Sequence, residues 1–335
     1  MKAAVFHGPR DVRVEEVPAP IMLDGDVLIR VRACGICGSD LHTYKHGLFL
    51  DLGVPVDSGG RILGHEYSGE VAEIRGQLEG LKVGDRVVAV FFGANAEYIR
   101  IPAPLTGAIL KVPPEVSHEE AATNEPLANS IHAVGLAGPV DGQTAVVIGA
   151  GIIGLGVVQV LKALHSVRTI VVDLSDKRLA MASQLGADVV INAAREDPYQ
   201  KVIELTGATP MAFVPVPAAA VDMVFDCAGV SHEHQGPSTL EQALLMVKEN
   251  GTVVLVAVSE KPFELDFNAI MRKGVRLFGS WAWSLEEFVQ ALELMRSGKV
   301  DRKPLISHQF PLDAAKEAYE TQVRAEEAIK VLIKP

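Results

Sequence analysis

Residues able to bind a metal recur at three places in this chain. Cys37 lies in Cys34-Gly-Ile-Cys37-Gly-Ser-Asp-Leu-His42, Gly64-His65-Glu66 follows, and Glu125 stands in Asn124-Glu125-Pro126-Leu127. One thiolate, one imidazole and one or two carboxylates suit a catalytic zinc, which uses three protein ligands and keeps a position open for water or substrate. The C-x-x-C at 34–37 also admits a zinc knuckle or a redox pair. No second C-x-x-C completes a four-cysteine site, since the third cysteine is Cys227. A redox pair would begin a helix, whereas Cys34 ends a strand. One cysteine therefore acts with ligands from elsewhere. A plainer reading stays open at this point: a polar histidine, and a glutamate that starts a helix before Pro126.

A second constellation is Gly149-Ala150-Gly151-Ile152-Ile153-Gly154, a G-x-G-x-x-G between a strand at 145–148 and a helix from Ile153 to Leu164. Its glycines permit a tight turn, close approach of backbone to a pyrophosphate, and helix–strand packing. The helix N-terminus offers free N–H groups to the phosphates. Asp173 ends the next strand. A carboxylate there accepts both hydroxyls of an adenosine ribose and repels a 2′-phosphate, favouring NAD over NADP. Arg178 either accommodates such a phosphate or lies along the adenine.

These residues need elements to hold them. The first 120 residues read as all-β: apolar and charged residues alternate in VLIRVRA (27–33), with further short runs at 12–17, 67–74, 87–91 and 97–101, separated by Gly and Pro clusters. From Thr144 the pattern changes to AVVIG (145–149), RTIVVD (168–173), DVVI (188–191), VDMVFD (221–226), TVVLVAV (252–258) and VRLFGS (275–280). Continuous apolar runs suit strands buried on both faces of a parallel sheet. Helices such as 177–185 and 239–248 fill most gaps, which predicts a doubly wound Rossmann sheet. After Trp283 a helix at 285–296 ends at Gly298, a second (314–322) follows the capping candidate Asp313, and AIKVLIK closes the chain as a strand. The stretch 210–220 reads as a loop insertion. The expected fold class is α/β plus β, with domains at 1–124, 125–282 and 283–335.

Composition agrees with a folded protein. The 335 residues carry 31 Lys plus Arg against 42 Asp plus Glu, a formal net charge of −11, with 48% hydrophobic and 22% charged residues. That excludes a disordered tail and argues against broad nucleic-acid or anionic-membrane binding. Three cysteines exclude a disulfide-dense scaffold and indicate a reducing compartment. The longest apolar stretch, 145–158, is shorter than the ~20 residues that span a bilayer, and four glycines interrupt it. The N-terminus has no apolar signal core. A cytoplasmic protein is expected.

CGICGSDLH (34–42), GHE (64–66), EPLA (125–128) and GAGIIG (149–154), in that order and spacing, resemble the zinc-dependent medium-chain dehydrogenase/reductase family over nearly the whole chain. GICGSD and DLSDKR (173–178) are most similar to its polyol branch, which includes sorbitol, 2,3-butanediol and threonine dehydrogenases. The resemblance implies a GroES-like β-barrel catalytic domain, a Rossmann domain, and a C-terminal segment returning to the first. It implies that Cys37 and His65 bind zinc, and that Glu66 and Glu125 bind it directly, through water, or alternately. Cys34 is then a packing residue and Asp40 orients His65. Ser39 and His42 match proton-relay positions. Gly149, Gly151, Ile152, Ile153, Gly154, Asp173, Arg178, Cys227 and Ser280 fall at the cofactor, and Tyr44, Phe91 and Trp281 at the substrate cleft, with Lys45 and His46 near hydroxyls or charge. The loop from Tyr44 to Ile62 borders that cleft.

Two departures stand out. The four-cysteine lobe that holds a structural zinc would follow Gly84-Asp85-Arg86-Val87, but VVAVFFG runs directly into ANAEYIRIP. One zinc per subunit is expected. Gly38 also replaces an Arg that contacts pyrophosphate in some alcohol dehydrogenases. The implied activity is hydride transfer between NAD and a secondary alcohol (a polyol, sugar derivative or vicinal diol) or the matching ketone, in a homodimer or homotetramer that binds neither nucleic acid nor membrane. The rivals are a zinc-free enone or quinone reductase on the same fold and a non-catalytic NAD-binding protein.

Overall fold

The computed structural model describes residues 1–209, 217–233, 235–324 and 326–335. The chain divides into two compact units: unit 1 is Met1–Glu125 with Phe288–Pro335, and unit 2 is Pro126–Glu287. In chain order the elements begin with β1 (Lys2–Gly8), β2 (Asp11–Glu16), β3 (Val27–Gly35), α1 (Gly38–His46), β4 (Val54–Pro55), β5 (Arg61–Ile62), β6 (Glu66–Ile74), β7 (Arg86–Ala89), β8 (Tyr98–Ile101), β9 (Leu110–Lys111), α2 (His118–Ala121) and α3 (Asn124–Ala137). Then come β10 (Thr144–Ile148), α4 (Ile152–Leu164), β11 (Arg168–Asp173), α5 (Asp176–Gln184), β12 (Val189–Asn192), α6 (Pro198–Thr206), β13 (Ala208–Thr209), β14 (Ala218–Ala219), β15 (Val221–Asp226), α7 (Thr239–Met246), β16 (Val247–Leu255), α8 (Asn268–Lys273) and β17 (Arg276–Gly279). The last are α9 (Leu285–Arg296), β18 (Ile306–Pro311), α10 (Ala315–Val323) and β19 (Lys330–Lys334).

Unit 1 holds a four-stranded sheet in the order β2-β1-β5-β4 and a larger one in the order β18-β19-β3-β6-β7-β9, with β8 on β3. β3 and β6 are the central pair, in antiparallel register from Val27↔Ile74 to Gly35↔Glu66. β19 lies antiparallel on the far side of β3, with Leu332↔Gly35 and Ile333↔Cys34. The last strand thus runs beside the residues that follow β3. A core of Ile36, Tyr44, Leu63, Tyr319, Val331 and Ile333, among others, fixes α1 and α10 to this edge.

Unit 2 is a six-stranded parallel sheet in the order β12-β11-β10-β15-β16-β17. Renumbered from its first strand, this is 3-2-1-4-5-6, the dinucleotide-binding order, whose switch point lies between β10 and β15. Both faces are covered, as the unbroken apolar strands require: Val146, Val224, Val253 and their neighbours are buried.

Several local expectations are corrected. The N-terminal stretch forms β1, with four of its seven residues buried. The first 120 residues are not wholly β, because α1 follows β3 directly and α2 begins at His118. The helix expected at 239–248 stops at Met246, and the following strand starts at Val247 rather than at 252. Asp313 does not cap the final helix: Ala314 holds that position without a side-chain cap, and Asp313 pairs with Lys2. Residues 210–216 of the expected loop lie outside the described residues, and β13 and β14 on either side pair antiparallel. Among the described residues no helix is long and apolar enough to cross a membrane.

Candidate active site

The donor atoms of Cys37, His65 and Glu66 lie within 4.8 Å of one another in unit 1. The fold explains this convergence. β3 ends at Gly35 opposite Glu66, the first residue of β6, with His65 just before it. The chain then turns, and Cys37 takes the N-cap of α1 with extended backbone (φ −82°, ψ 161°). Gly64 needs to be glycine: its φ is +92°, and a Cβ there would stand 2.8 Å from the Cys34 sulfur. Cys34 is fully buried under this turn, and burial pushes its thiol pKa well up, so it packs rather than ligates. All three thiols are free. A helix does begin at Cys37, which the reading of a purely β segment had not included.

Asp40 ties the two ligand-bearing segments together. As the N3 residue of α1 it accepts the Cys37 backbone N–H (3.0 Å) on one oxygen and the Gly64 N–H (3.2 Å) on the other. Its carboxylate stands 4.0 Å from His65 Nδ1, which makes no hydrogen bond of its own. Burial works against protonation of His65, but the adjacent Cys37 sulfur, with the charges of Asp40 and Glu125, holds its pKa well above the usual imidazole value. Burial and the Glu66 charge push the Cys37 thiol up, with His65 opposing. Such a set of soft and hard donors, part-buried at Cys37 and buried at His65 and Glu66, with one imidazole nitrogen lacking a hydrogen-bond partner, fits a zinc-sized divalent cation. Glu125, second residue of α3, stands outside this cluster, yet its charge acts on Cys37 and His65.

Glu66 is met from the other side by Lys330, whose Nζ donates to Glu66 Oε2 (2.5 Å) and to the Ile36 carbonyl (2.8 Å). Both side chains are 1% exposed. Burial disfavours the Lys330 charge, but Glu66 outweighs it and the pKa is raised. Arg302 is also buried. Its Nε donates to Thr123 Oγ1 (3.3 Å), and burial lowers its pKa against the attraction of Glu66.

In unit 2 the turn 149–154 joins β10 to α4. Gly149 has φ +97°, and a Cβ on Gly154 would strike the Gly149 carbonyl at 1.8 Å. Asp173 reaches this turn: it accepts the Ala150 N–H (2.6 Å) on one oxygen and the Ser175 N–H (2.8 Å) on the other. Arg178 is part-buried beside it, its pKa lowered by burial against the Asp173 charge. The segment after β15 packs on the same turn, since a Cβ on Gly149 would meet Ala228 N at 2.9 Å. Asp226 shapes that segment by accepting from Ala228 N, Gly229 N and Thr239 Oγ1 (3.2, 3.0 and 2.6 Å). Cys227 N donates to the Ile148 carbonyl, and burial raises its thiol pKa. Ser280 is buried and its N–H donates to the Leu255 carbonyl, while Trp281 is exposed.

Two family models match: the alcohol dehydrogenase GroES-like domain over residues 23–113 and the zinc-binding dehydrogenase over 153–297. The chain is 30% identical to sorbitol dehydrogenase of Bacillus subtilis (strain 168), over 100% of this chain and 97% of that one. A crystal structure of 2R,3R-butanediol dehydrogenase from Bacillus subtilis aligns with TM-score 0.83 at 30% identity, covering 100% and 99% of the two chains. A structure described as a short chain alcohol dehydrogenase from Escherichia coli, complexed with NADH, aligns with TM-score 0.82 at 26% identity, covering 100% and 99%. The chain is a zinc-type medium-chain dehydrogenase of the polyol branch.

This medium-chain dehydrogenase is therefore an alcohol oxidoreductase with a GroES-like domain and a Rossmann domain. Ser39 and His42 lie on the first turns of α1, three residues apart and so on one face. Phe91 is part-buried, 6.3 Å from the ring of Phe92. Tyr44 is a correction. It is fully buried, packs on Tyr319 (ring centroids 4.9 Å) and donates its hydroxyl to Glu320 (2.6 Å), so it does not line a substrate surface. Sequence reasoning missed Lys330, Phe92 and Asp226. Lys330 carried a signal: a lone charge inside an apolar terminal strand needs a buried partner.

Proposed function

We propose that the enzyme oxidises a secondary alcohol (a polyol, sugar derivative or vicinal diol) with NAD, or reduces the matching ketone, using one zinc held by Cys37, His65 and Glu66 with Glu125 nearby. The observation that carries this is the convergence of those three donor atoms within 4.8 Å. Zinc in such a site is a Lewis acid that lowers the pKa of a bound alcohol. Ser39 accepts the hydroxyl proton and His42, on the same helix face, releases it to solvent. Asp40 keeps the Cys37 and Gly64 backbones in register. The 149–154 turn and the α4 N-terminus bind the pyrophosphate, and Asp173 binds the adenosine ribose and repels a 2′-phosphate.

A single zinc is supported by the cysteines themselves: Cys34 is sealed under Gly64, and Cys227 follows β15 in unit 2. A cytoplasmic setting accords with three free thiols. A homodimer or homotetramer accords with the edge strand β17, where Phe278 is exposed. The test is metal analysis with NAD reduction before and after chelation. One zinc per chain and loss of turnover on its removal are expected. Full turnover by metal-free protein would point to the zinc-free reductase, and Cys37→Ser that binds NADH while wild type turns over no alcohol would point to a non-catalytic role.

A further inference from the structure

The sheet of unit 2 has two halves that meet at the switch point between β10 and β15. β10, β11 and β12 form the first, with the glycine turn and Asp173. β15, β16 and β17 form the second, and in this strand order each half takes one mononucleotide. The residues leaving β15, Cys227 to Gly229, therefore stand at the half that takes the nicotinamide riboside.

This segment is pinned on both sides. Cys227 N donates to the Ile148 carbonyl (2.8 Å) across the switch point. Its backbone also leans on the glycine turn, since a Cβ on Gly149 would stand 2.9 Å from the Cys227 carbonyl carbon. On the other side Gly229 has φ +66°, and a Cβ there would strike the Val258 carbonyl at 2.5 Å. The Val256 and Ala257 N–H groups both donate to the Asp226 carbonyl (2.9 and 3.0 Å). Asp226 thus joins the ends of β15 and β16.

The Asp226 side chain sets the polarity of the segment. It is 4% exposed. One oxygen accepts the Ala228 and Gly229 N–H groups, and the other accepts the hydroxyl of Thr239, the first residue of α7. The N–H groups of Cys227, Ala228 and Gly229 are then all spent on the protein. Among the described residues the Cys227 and Ala228 carbonyls accept no hydrogen bond. What the segment offers a ligand is acceptors, suited to ribose hydroxyls and a carboxamide NH2. Without the carboxylate, two N–H groups would need new partners, and the turn would have to open to supply them.

We infer that Asp226 is a positioning residue for the nicotinamide half of the cofactor, acting through the Cys227–Gly229 backbone, with Thr239 locking its carboxylate in place. This rests on the proposed use of NAD.

The test is binding, by NADH fluorescence titration and by calorimetry with ADP, which keeps the adenosine and one pyrophosphate but lacks the nicotinamide riboside. Asp226→Ala should weaken NADH binding about tenfold to a hundredfold and leave ADP binding within about twofold. Asp226→Asn should recover most of the NADH affinity, because its oxygen can accept both N–H groups while its amide donates to Thr239 Oγ1. Thr239→Val should show the same split between NADH and ADP, several-fold in size, and carries the test alone if Asp226→Ala does not fold. Unchanged NADH affinity, parallel losses for NADH and ADP, or an asparagine variant no better than alanine would overturn the inference and leave the use of NAD standing. Wild-type protein that binds neither NADH nor ADP would overturn both.

Discussion

Lys330, five residues before Pro335, neutralises Glu66 at the head of β6, 264 residues earlier in the chain. The pair is dry, and one Glu66 oxygen is committed to it. Removing the lysine leaves a buried carboxylate offset only by the Arg302 charge and by a bound metal. Lys330→Met should therefore cost about 3–5 kcal/mol, measured by thermal unfolding. It should also change metal retention during dialysis against a weak chelator. Lys330→Arg keeps the charge and should recover part of both, limited by crowding: a Cβ on Gly35 would lie 3.3 Å from the Lys330 stem. Arginine behaving no better than methionine would argue that shape alone matters there.

Asp40 accepts from Cys37 and Gly64 with its two oxygens. Asp40→Asn keeps the size but turns a donor toward one of those N–H groups. The expected loss is about 1–3 kcal/mol of stability and roughly tenfold to a hundredfold in metal affinity. NADH affinity, which belongs to unit 2, should hold. Chelator competition and NADH fluorescence titration separate the two. A parallel fall in NADH affinity would mean general damage instead.

Why these relationships escaped the sequence is physical. The glycine turn and the parallel strands are local patterns, written in periods of two and in G-x-G-x-x-G. The Cys37–His65 convergence is not local: the residue types alone raised it beside a plainer reading, and the resemblance to a known family singled it out. Lys330 depends on β19 pairing with β3 across nearly the whole chain. Tyr44 was misjudged because it was placed at the start of a loop running to Ile62, whereas residues 38–46 form α1. As a helix they turn Tyr44 inward, toward α10.

Tyr44→Phe tests that correction. The Tyr44 hydroxyl, with Arg10, lowers the Glu320 pKa below its usual value. A depressed carboxylate adds stability that is fully present above the unfolded pKa, ordinarily near 4.5, and is lost as pH falls through the folded value. The variant should be about 1 kcal/mol less stable at neutral pH. That gap should close on acidification below the unfolded pKa. Denaturant unfolding at several pH values measures it. Alcohol preference should not change, since the side chain is buried; an altered preference would return Tyr44 to the substrate surface.

Asp173 has two tasks that different substitutions separate. It anchors the Ala150 N–H of the glycine turn, and its charge is the proposed reason for choosing NAD. Asp173→Asn removes the charge and keeps one oxygen able to accept from Ala150, while turning its amide toward the Ser175 N–H. It should raise KM for NAD about tenfold, since a charged hydrogen bond is worth roughly 1.5–3 kcal/mol, and narrow the preference over NADP. Asp173→Ala removes both functions. It should match the asparagine variant in cofactor preference yet lose about 1–3 kcal/mol more stability, because the Ala150 N–H is left without its acceptor. Steady-state kinetics with both cofactors gives the first comparison and thermal unfolding the second. Equal stability in the two variants would show that the turn does not need the carboxylate. An unchanged cofactor ratio would show that the charge does not choose NAD.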